Sequence, residues 1–154
     1  MATVSRIASR PAATLVLVSL MGCGDEPAGP DAAIRAWVDA MHSAAEDKDR
    51  GEIVARISPA YRDARGHDRD DIDRLLRFYF LRQNRVEFVP RIEAITVFDG
   101  SAAEVSLVVA MAGTSERALG FSADAYRFEL ELAADGDDWT LISARWGELG
   151  QALQ

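Results

Sequence analysis

The side chains best suited to acid–base chemistry lie close together between Tyr61 and Asp68. Asp63 and His67 are four residues apart, and a carboxylate or an imidazole can move a proton to or from a bound molecule. Tyr61 precedes them and could donate a hydrogen bond at the same place. The segment is also typical of a loop before a helix, where a solvated histidine, a surface aspartate and a turn-packing tyrosine are more common. The non-catalytic interpretation is therefore favoured, and the other stays open.

No further pattern in the sequence indicates catalysis or metal binding. The chain has no glycine-rich phosphate loop and no serine–histidine–aspartate spacing. With one cysteine, a zinc site would take nearly all its ligands from two histidines and from carboxylates. We therefore assign no catalytic residue and expect neither a metal nor a cofactor. The formal charge of −8 argues against nucleic acid as a partner, because phosphates would be repelled.

The single cysteine, Cys23, follows a segment with the features of an export signal. Arg6 and Arg10 make the start of the chain positive, and residues 11–22 form an apolar run. A run of this length suits the apolar part of a secretory signal, about 7–15 residues long. It is too short for a transmembrane helix, which needs about 20 residues.

The end of this run, Leu20-Met21-Gly22-Cys23, resembles the bacterial lipobox. The resemblance implies cleavage between Gly22 and Cys23 and attachment of diacylglycerol to the cysteine thiol. Two or three acyl chains anchor a protein stably. We therefore predict a lipoprotein of the cell envelope, anchored through Cys23 and facing the periplasm or the cell exterior, with the outer membrane slightly favoured. Ordinary signal cleavage, giving a soluble periplasmic protein, and a buried free cysteine are the alternatives.

The prediction divides the chain into a signal peptide over residues 1–22, a lipidated cysteine and flexible tether over 23–30, and one domain over 31–154. Glycine and proline in residues 24–30 indicate the tether. In the domain, apolar residues at helical spacing predict a first helix from Asp31, its expected N-cap, to about Lys48. A short second helix ends before Pro59. A third begins in the acidic residues 68–71. Its predicted buried stripe consists of Ile72, Leu75, Leu76, Tyr79 and Phe80.

After the third helix the apolar pattern changes to alternation, which indicates strands. The first covers residues 86–98, and Pro90 confines that part to an edge or a bulge. Asp99-Gly100 and Asp135-Gly136 are typical of tight turns between later strands. Three helices followed by about four antiparallel strands predict an α+β fold, with the helices packed on one face of a curved sheet.

This layout resembles the nuclear transport factor 2-like superfamily, cone-shaped domains that include polyketide cyclase-like proteins and ketosteroid isomerase. The resemblance rests on the first helix with Trp37 and Met41, on Ile57-Ser58-Pro59-Ala60-Tyr61-Arg62-Asp63, and on a last strand from Trp139 to Trp146. It implies a pocket between sheet and helices. The aromatic residues expected to line that pocket are Trp37, Tyr61, Tyr79, Tyr126 and Trp146. The isomerase pattern of a base aspartate facing a tyrosine–aspartate pair has no counterpart in this sequence.

The predicted function is that of a membrane-tethered envelope lipoprotein whose domain binds a small apolar ligand or a protein partner without catalysis. The first alternative is a cyclase- or isomerase-type enzyme that uses Tyr61, Asp63 or His67 at the mouth of the cone. The second is a structural envelope subunit acting through Phe78 and Leu81, which fall off the stripe of the third helix and are more readily explained as cover for neighbouring core. Because domains of the superfamily often pair through their sheets, a homodimer is a further expectation.

Overall fold

The computed structural model describes residues 29–82, 85–114 and 121–154, and shows three helices followed by four strands. The predicted signal peptide, cleavage site and lipidated Cys23 lie outside the described residues. The elements are α1 (Pro30–Glu46), α2 (Arg50–Ala55), α3 (Arg69–Arg82), β1 (Arg85–Phe98), β2 (Ala102–Thr114), β3 (Phe121–Asp135) and β4 (Asp138–Glu148). Within these described ranges, no helix has the length and apolar character to span a membrane.

The start of α1 differs from the prediction. The N-cap is Gly29, with Pro30 in the first turn, and Asp31 lies inside the helix, where it pairs with Arg35 at 2.7 Å. Proline suits this position because its ring fixes φ near the helical value and its missing N–H would have no partner there. The helix therefore begins before the expected aspartate cap.

The four strands form one antiparallel sheet in the order β1-β2-β3-β4. The predicted alternation is confirmed, because Val105 and Leu107 of β2 and Leu130 and Leu132 of β3 are buried on the inner face. On the outer face several side chains are charged, as in the ion pair of Arg145 with Glu129. Pro90 lies in an edge strand, as expected. The irregularity of β1 falls between Ile92 and Ala94 and not at the proline.

A register shift in β4 explains why the apolar residues of this strand do not alternate along its whole length. Trp139 and Leu141 are buried, and after the shift at Ile142 the buried position is Ala144. The extra residue of a bulge moves the following side chains to the opposite face. Both halves of β4 thus direct apolar residues to the core.

The segment that follows α2 runs beside β4. Ser58 N–H donates to Leu141 O at 2.9 Å, and Leu141 N–H donates to Arg56 O at 3.0 Å. Further along, Ala64 N–H donates to Ala144 O at 3.2 Å. These bonds satisfy part of the exposed edge of the last strand and fix the position of Tyr61 and its neighbours.

Helix α3 packs less tightly than its sequence predicts. All of α3 is described, and none of its residues is buried. Ile72, Leu76 and Phe80 are partly buried against the core, but Leu75 is 47% exposed, so its predicted burial is wrong. The interpretation of Phe78 and Leu81 as core cover is also wrong, because these residues are 58% and 79% exposed. For Leu75 and Phe78 the physical reason is that this side of α3 borders a cavity.

Candidate ligand cavity

A cavity of about 670 Å³ lies between the inner face of the sheet and the helices. Small-molecule sites in proteins usually have volumes of about 300–1,000 Å³. Helix α1 contributes Val38 and Met41 to the wall, and the sheet contributes Leu107, Val109 and Leu130. The alternating strands and the apolar stripe of α1 thus direct apolar side chains at the same space.

The structure places all five aromatic residues of the expected pocket on this wall. Trp37 comes from α1, Tyr61 from the segment beside β4, Tyr79 from α3, Tyr126 from β3 and Trp146 from β4. They are far apart in sequence, and only the closure of the helices over the curved sheet brings them together.

Asp63 and His67 lie together, but neither is among the residues that line the cavity. The Asp63 side chain is fully buried, so the interpretation of a surface aspartate is wrong. Its Oδ1 accepts hydrogen bonds from the backbone N–H groups of Arg65 and His67, each at 2.8 Å. Its Oδ2 lies 2.7 Å from Nδ1 of His67. The carboxylate therefore holds the turn that precedes α3 in shape.

His67 reaches the cavity only through Trp146. The two rings are stacked, with centroids 6.4 Å apart and an interplanar angle of 26°. Trp146 also stacks with Phe128 on the neighbouring strand, at 6.4 Å and 19°. The turn held by Asp63 thus supports one aromatic wall of the cavity.

Arg65 is a lining residue that the sequence did not single out. Its guanidinium carbon lies 4.7 Å from the centroid of the Trp146 ring, a cation–π distance. Its Nη2 also donates to the Trp146 carbonyl oxygen at 3.3 Å. Asp63 accepts from its backbone N–H, which fixes where the side chain starts. A positive charge therefore lies at the rim of a largely apolar wall.

The three lining tyrosines are hydrogen-bonding groups and not bases. Burial raises the pKa of Tyr61 far above its ordinary value, and the nearby Asp63 charge adds to this effect. Burial also raises the pKa of Tyr79, helped by Tyr126 and Asp124. The pKa of Tyr126 is raised by burial, then by the negative charges of Asp124 and Glu148, while Arg65 opposes them. All three hydroxyls therefore keep their protons at neutral pH.

His42 is a second lining residue that sequence analysis did not place in the pocket. Its Nε2 lies 2.7 Å from the backbone carbonyl oxygen of Phe88 on β1, and 3.3 Å from Oε1 of Glu46. Since a carbonyl oxygen can only accept, Nε2 carries the proton and Nδ1 is left as the acceptor in the neutral ring. The available signal was its spacing, four residues after the buried Val38 on the same helical face.

A metal centre has no support in the part of the chain that the structure describes. No group of three or more histidine, cysteine, aspartate or glutamate side chains there is arranged to hold an ion. The chemistry available at the cavity is therefore that of apolar surface, hydroxyl and indole groups, one histidine and the charged rim.

Comparison with known proteins gives the fold a name. No protein-family model matches the chain, and no curated protein matches it in sequence. Among solved structures, a protein from Streptomyces avermitilis, proposed to be a dehydratase of the nuclear transport factor 2-like family, superposes with a TM-score of 0.68 at 12% identity, over 79% of this chain and 97% of its own. The domain has the nuclear transport factor 2-like fold.

Two further structures with this nuclear transport factor 2-like fold carry names that refer to enzymes. A protein proposed to be a scytalone dehydratase, from Novosphingobium aromaticivorans, has a TM-score of 0.70 at 12% identity, over 79% of this chain and 84% of its own. A ketosteroid isomerase-like protein from Erwinia carotovora atroseptica has a TM-score of 0.64 at 14% identity, over 78% and 96%. Identities this low show the fold alone, because unrelated activities share one fold.

Proposed function

We propose that this protein is a cell-envelope lipoprotein whose nuclear transport factor 2-like domain binds a small apolar molecule without changing it chemically. The observation that supports this most strongly is the cavity of about 670 Å³ with walls of aliphatic and aromatic side chains. Its rim includes Leu75 and Phe78, which are 47% and 58% exposed, so a ligand can enter from outside. Burial of apolar ligand surface in such a cavity is favourable.

The arrangement of ionisable groups favours binding over catalysis. Proton transfer needs a base within hydrogen-bond reach of the substrate. Among the described residues that line the cavity, one carries a carboxylate, and this residue, Asp124, is exposed. The buried carboxylate of Asp63 is already bonded to the turn around it. The tyrosines hold their protons, so they can orient a ligand but do not abstract its protons.

The proposed location rests on the sequence of residues 1–23 alone. A positive start, a short apolar run and Leu20-Met21-Gly22-Cys23 favour export and lipidation. Six residues separate Cys23 from Pro30, so an extended chain can place these two residues at most about 25 Å apart. A lipid on Cys23 would therefore keep the cavity close to the bilayer surface, where apolar molecules concentrate.

Binding can be tested with an uncharged fluorescent probe, N-phenyl-1-naphthylamine, and a pair of tryptophan substitutions. Val109→Trp places a large ring in the cavity, whereas Ala110→Trp places the same ring on the opposite face of the same strand. We expect the wild type and Ala110→Trp to bind the probe and Val109→Trp to bind it at least tenfold more weakly, with unchanged circular dichroism. Equal binding by the two variants would show that the probe lies elsewhere.

A proton-transfer enzyme is the second candidate, and the position of His42 favours it. In the neutral ring, the bond from Nε2 to Phe88 O makes Nδ1 the acceptor, in a residue that lines the cavity. If the protein is an enzyme, His42→Gln should abolish conversion of the natural ligand while leaving its binding within about threefold. If it is a binding protein, mass spectrometry should detect the same unchanged molecule after incubation with either form.

A further inference from the structure

The outer side of α3 exposes large apolar side chains. Leu75, Phe78 and Leu81 are 47%, 58% and 79% exposed. They are three residues apart, so they lie along one side of the helix. Single apolar side chains are normal on a protein surface, whereas a group of them on one face marks a contact with another body. The group therefore indicates an interaction surface.

Basic side chains accompany this group. Arg77 and Arg82 are exposed on the same half of the helix, and residues 74–82 contain no acidic residue although the whole chain has a charge of −8. Arg82 lies over the Phe78 ring, with its guanidinium carbon 4.4 Å from the ring centroid. The ion pairs of α3 within the described residues lie near its start and leave both arginines without a carboxylate partner. We name this surface the α3 face, and its members are Leu75, Arg77, Phe78, Leu81 and Arg82.

The cavity opens on the same side of the domain. Leu75 and Phe78 line the cavity and also belong to the α3 face, so a body that covers this face lies against the mouth of the cavity. A bilayer surface suits both kinds of side chain, because its acyl region accepts apolar groups and its phosphates accept hydrogen bonds from arginine. A second copy of the chain suits the face less well, since a symmetric contact brings the same arginines toward each other.

The proposed lipid on Cys23 can reach a bilayer that touches the α3 face. The bond from His42 to Phe88 O joins the C-terminal part of α1 to the start of β1, which directly follows α3. From His42 back to Pro30, α1 is about 18 Å long at roughly 1.5 Å per residue. An extended chain can place Cys23 and Pro30 up to about 25 Å apart. The anchor and the C-terminal half of α3 can therefore lie on one membrane surface.

We infer that the α3 face lies on the surface of a phospholipid bilayer and holds the mouth of the cavity against it, so that the apolar ligand passes between membrane and cavity without crossing water. The inference rests on the proposed anchor at Cys23 and adds the orientation of the domain and the source of its ligand. The apolar side chains of the face enter the boundary between headgroups and acyl chains. The two arginines bury their stems there and keep their charged ends among the lipid phosphates.

The test measures how deeply a nitroxide label lies in vesicles of phosphatidylethanolamine and phosphatidylglycerol. The protein is purified in detergent from its own cells and reconstituted, with Leu81→Cys or Ser101→Cys as the labelling site. Ser101 is exposed in the turn at the opposite end of β1 from α3. A lipid on Cys23 blocks that thiol, so only the introduced cysteine reacts. We expect oxygen to relax the Leu81→Cys label more than a water-soluble nickel chelate does, and the reverse for the Ser101→Cys label.

Second substitutions in the Leu81→Cys protein assign the contact to the α3 face. Phe78→Ser removes an apolar side chain of the face and should return the label to water. Because one arginine near a bilayer surface contributes about 1 kcal/mol, Arg77→Gln should lower the ratio of docked to undocked domains about fivefold. Arg91→Gln is the matched control, since Arg91 is exposed on β1 and lies outside the α3 face, and it should leave the label in the membrane. Circular dichroism checks that each variant is folded.

Three outcomes would overturn the inference. A Leu81→Cys label as open to the nickel chelate as the Ser101→Cys label, on protein that stays with the vesicles, would reject the docked orientation and leave the anchor standing. Dipolar coupling between two Leu81→Cys labels would show that a second copy of the chain, and not the bilayer, covers the α3 face. If the wild type takes up the label at Cys23, or does not stay with the vesicles, the proposed anchor fails and the inference fails with it.

Discussion

Removal of the Asp63 carboxylate should destabilise the domain more than any other change in the turn before α3. Its two oxygens serve three donors: the backbone N–H groups of Arg65 and His67, and the ring of His67. Asp63→Ala leaves both backbone donors without this acceptor, and an unsatisfied buried donor costs about 1–3 kcal/mol. Arg65 is exposed and His67 half-buried, so water can replace part of what is lost. We therefore expect a decrease of about 2–4 kcal/mol in the free energy of unfolding.

Two control variants separate the roles of the bonds. Asp63→Asn keeps an oxygen for the backbone donors and should cost about 1 kcal/mol. His67→Ala removes the ring contact with Asp63 and the stacking on Trp146 at a half-buried residue, and should cost about 1 kcal/mol. Urea unfolding followed by tryptophan fluorescence measures all three, since Trp146 stacks directly on His67. The turn also positions Tyr61 and Arg65, so Asp63→Ala should weaken probe binding as well.

The reasoning would be refuted by either of two results. One is an Asp63→Ala variant within about 0.5 kcal/mol of the wild type, the range of an ordinary surface substitution. The other is a His67→Ala variant as unstable as Asp63→Ala. That result would mean that the carboxylate–imidazole contact, and not the backbone bonds, stabilises the turn.

Three further predictions concern pH, packing and location. Burial raises the pKa of Tyr61 above its usual 10.0, so the stability that Tyr61 contributes is complete below about pH 10 and falls as the pH rises further, because the unfolded chain loses the proton first. Between about pH 10 and about pH 11.5, the urea midpoint of Tyr61→Phe should fall less than that of the wild type. Equal decreases would count against burial as the cause. Leu132→Ala should lower the free energy of unfolding by about 2–5 kcal/mol, because Leu132 is 1% exposed. Leu81→Ala should change it by less than about 0.5 kcal/mol, because the side chain of Leu81 is exposed. Comparable losses of the two variants in thermal melts would contradict the packing described for α3. Cells fed a radioactive fatty acid should label the wild type and not Cys23→Ala, and undiminished label in the variant would reject the proposed anchor.

The order and type of the elements followed from the sequence, because amphipathic periods report which face of each element is buried. The register of β4 did not, since a bulge at Ile142 changes the face in mid-strand without a pattern in the residue types. The packing of α3 was also missed. A helical stripe such as that containing Leu75 shows which side faces inward, but not whether core or cavity lies beneath it.

The candidate site was predictable in part and for different reasons. The five aromatic residues lie on the cavity wall, and they were selected through the resemblance of the whole layout. Asp63 was noticed for its chemistry, but a lone aspartate gives no sign that two backbone N–H groups will donate to one of its oxygens and that the His67 ring will pair with the other.

The proposal that this cavity carries a small apolar molecule can be examined by mass spectrometry of the native protein extracted from its own cells. We expect a small apolar compound to be released on denaturation of the wild type and of Ala110→Trp, and to be absent from Val109→Trp. Recovery of the same compounds from both tryptophan variants, or of none from the folded wild type, would contradict the proposed function.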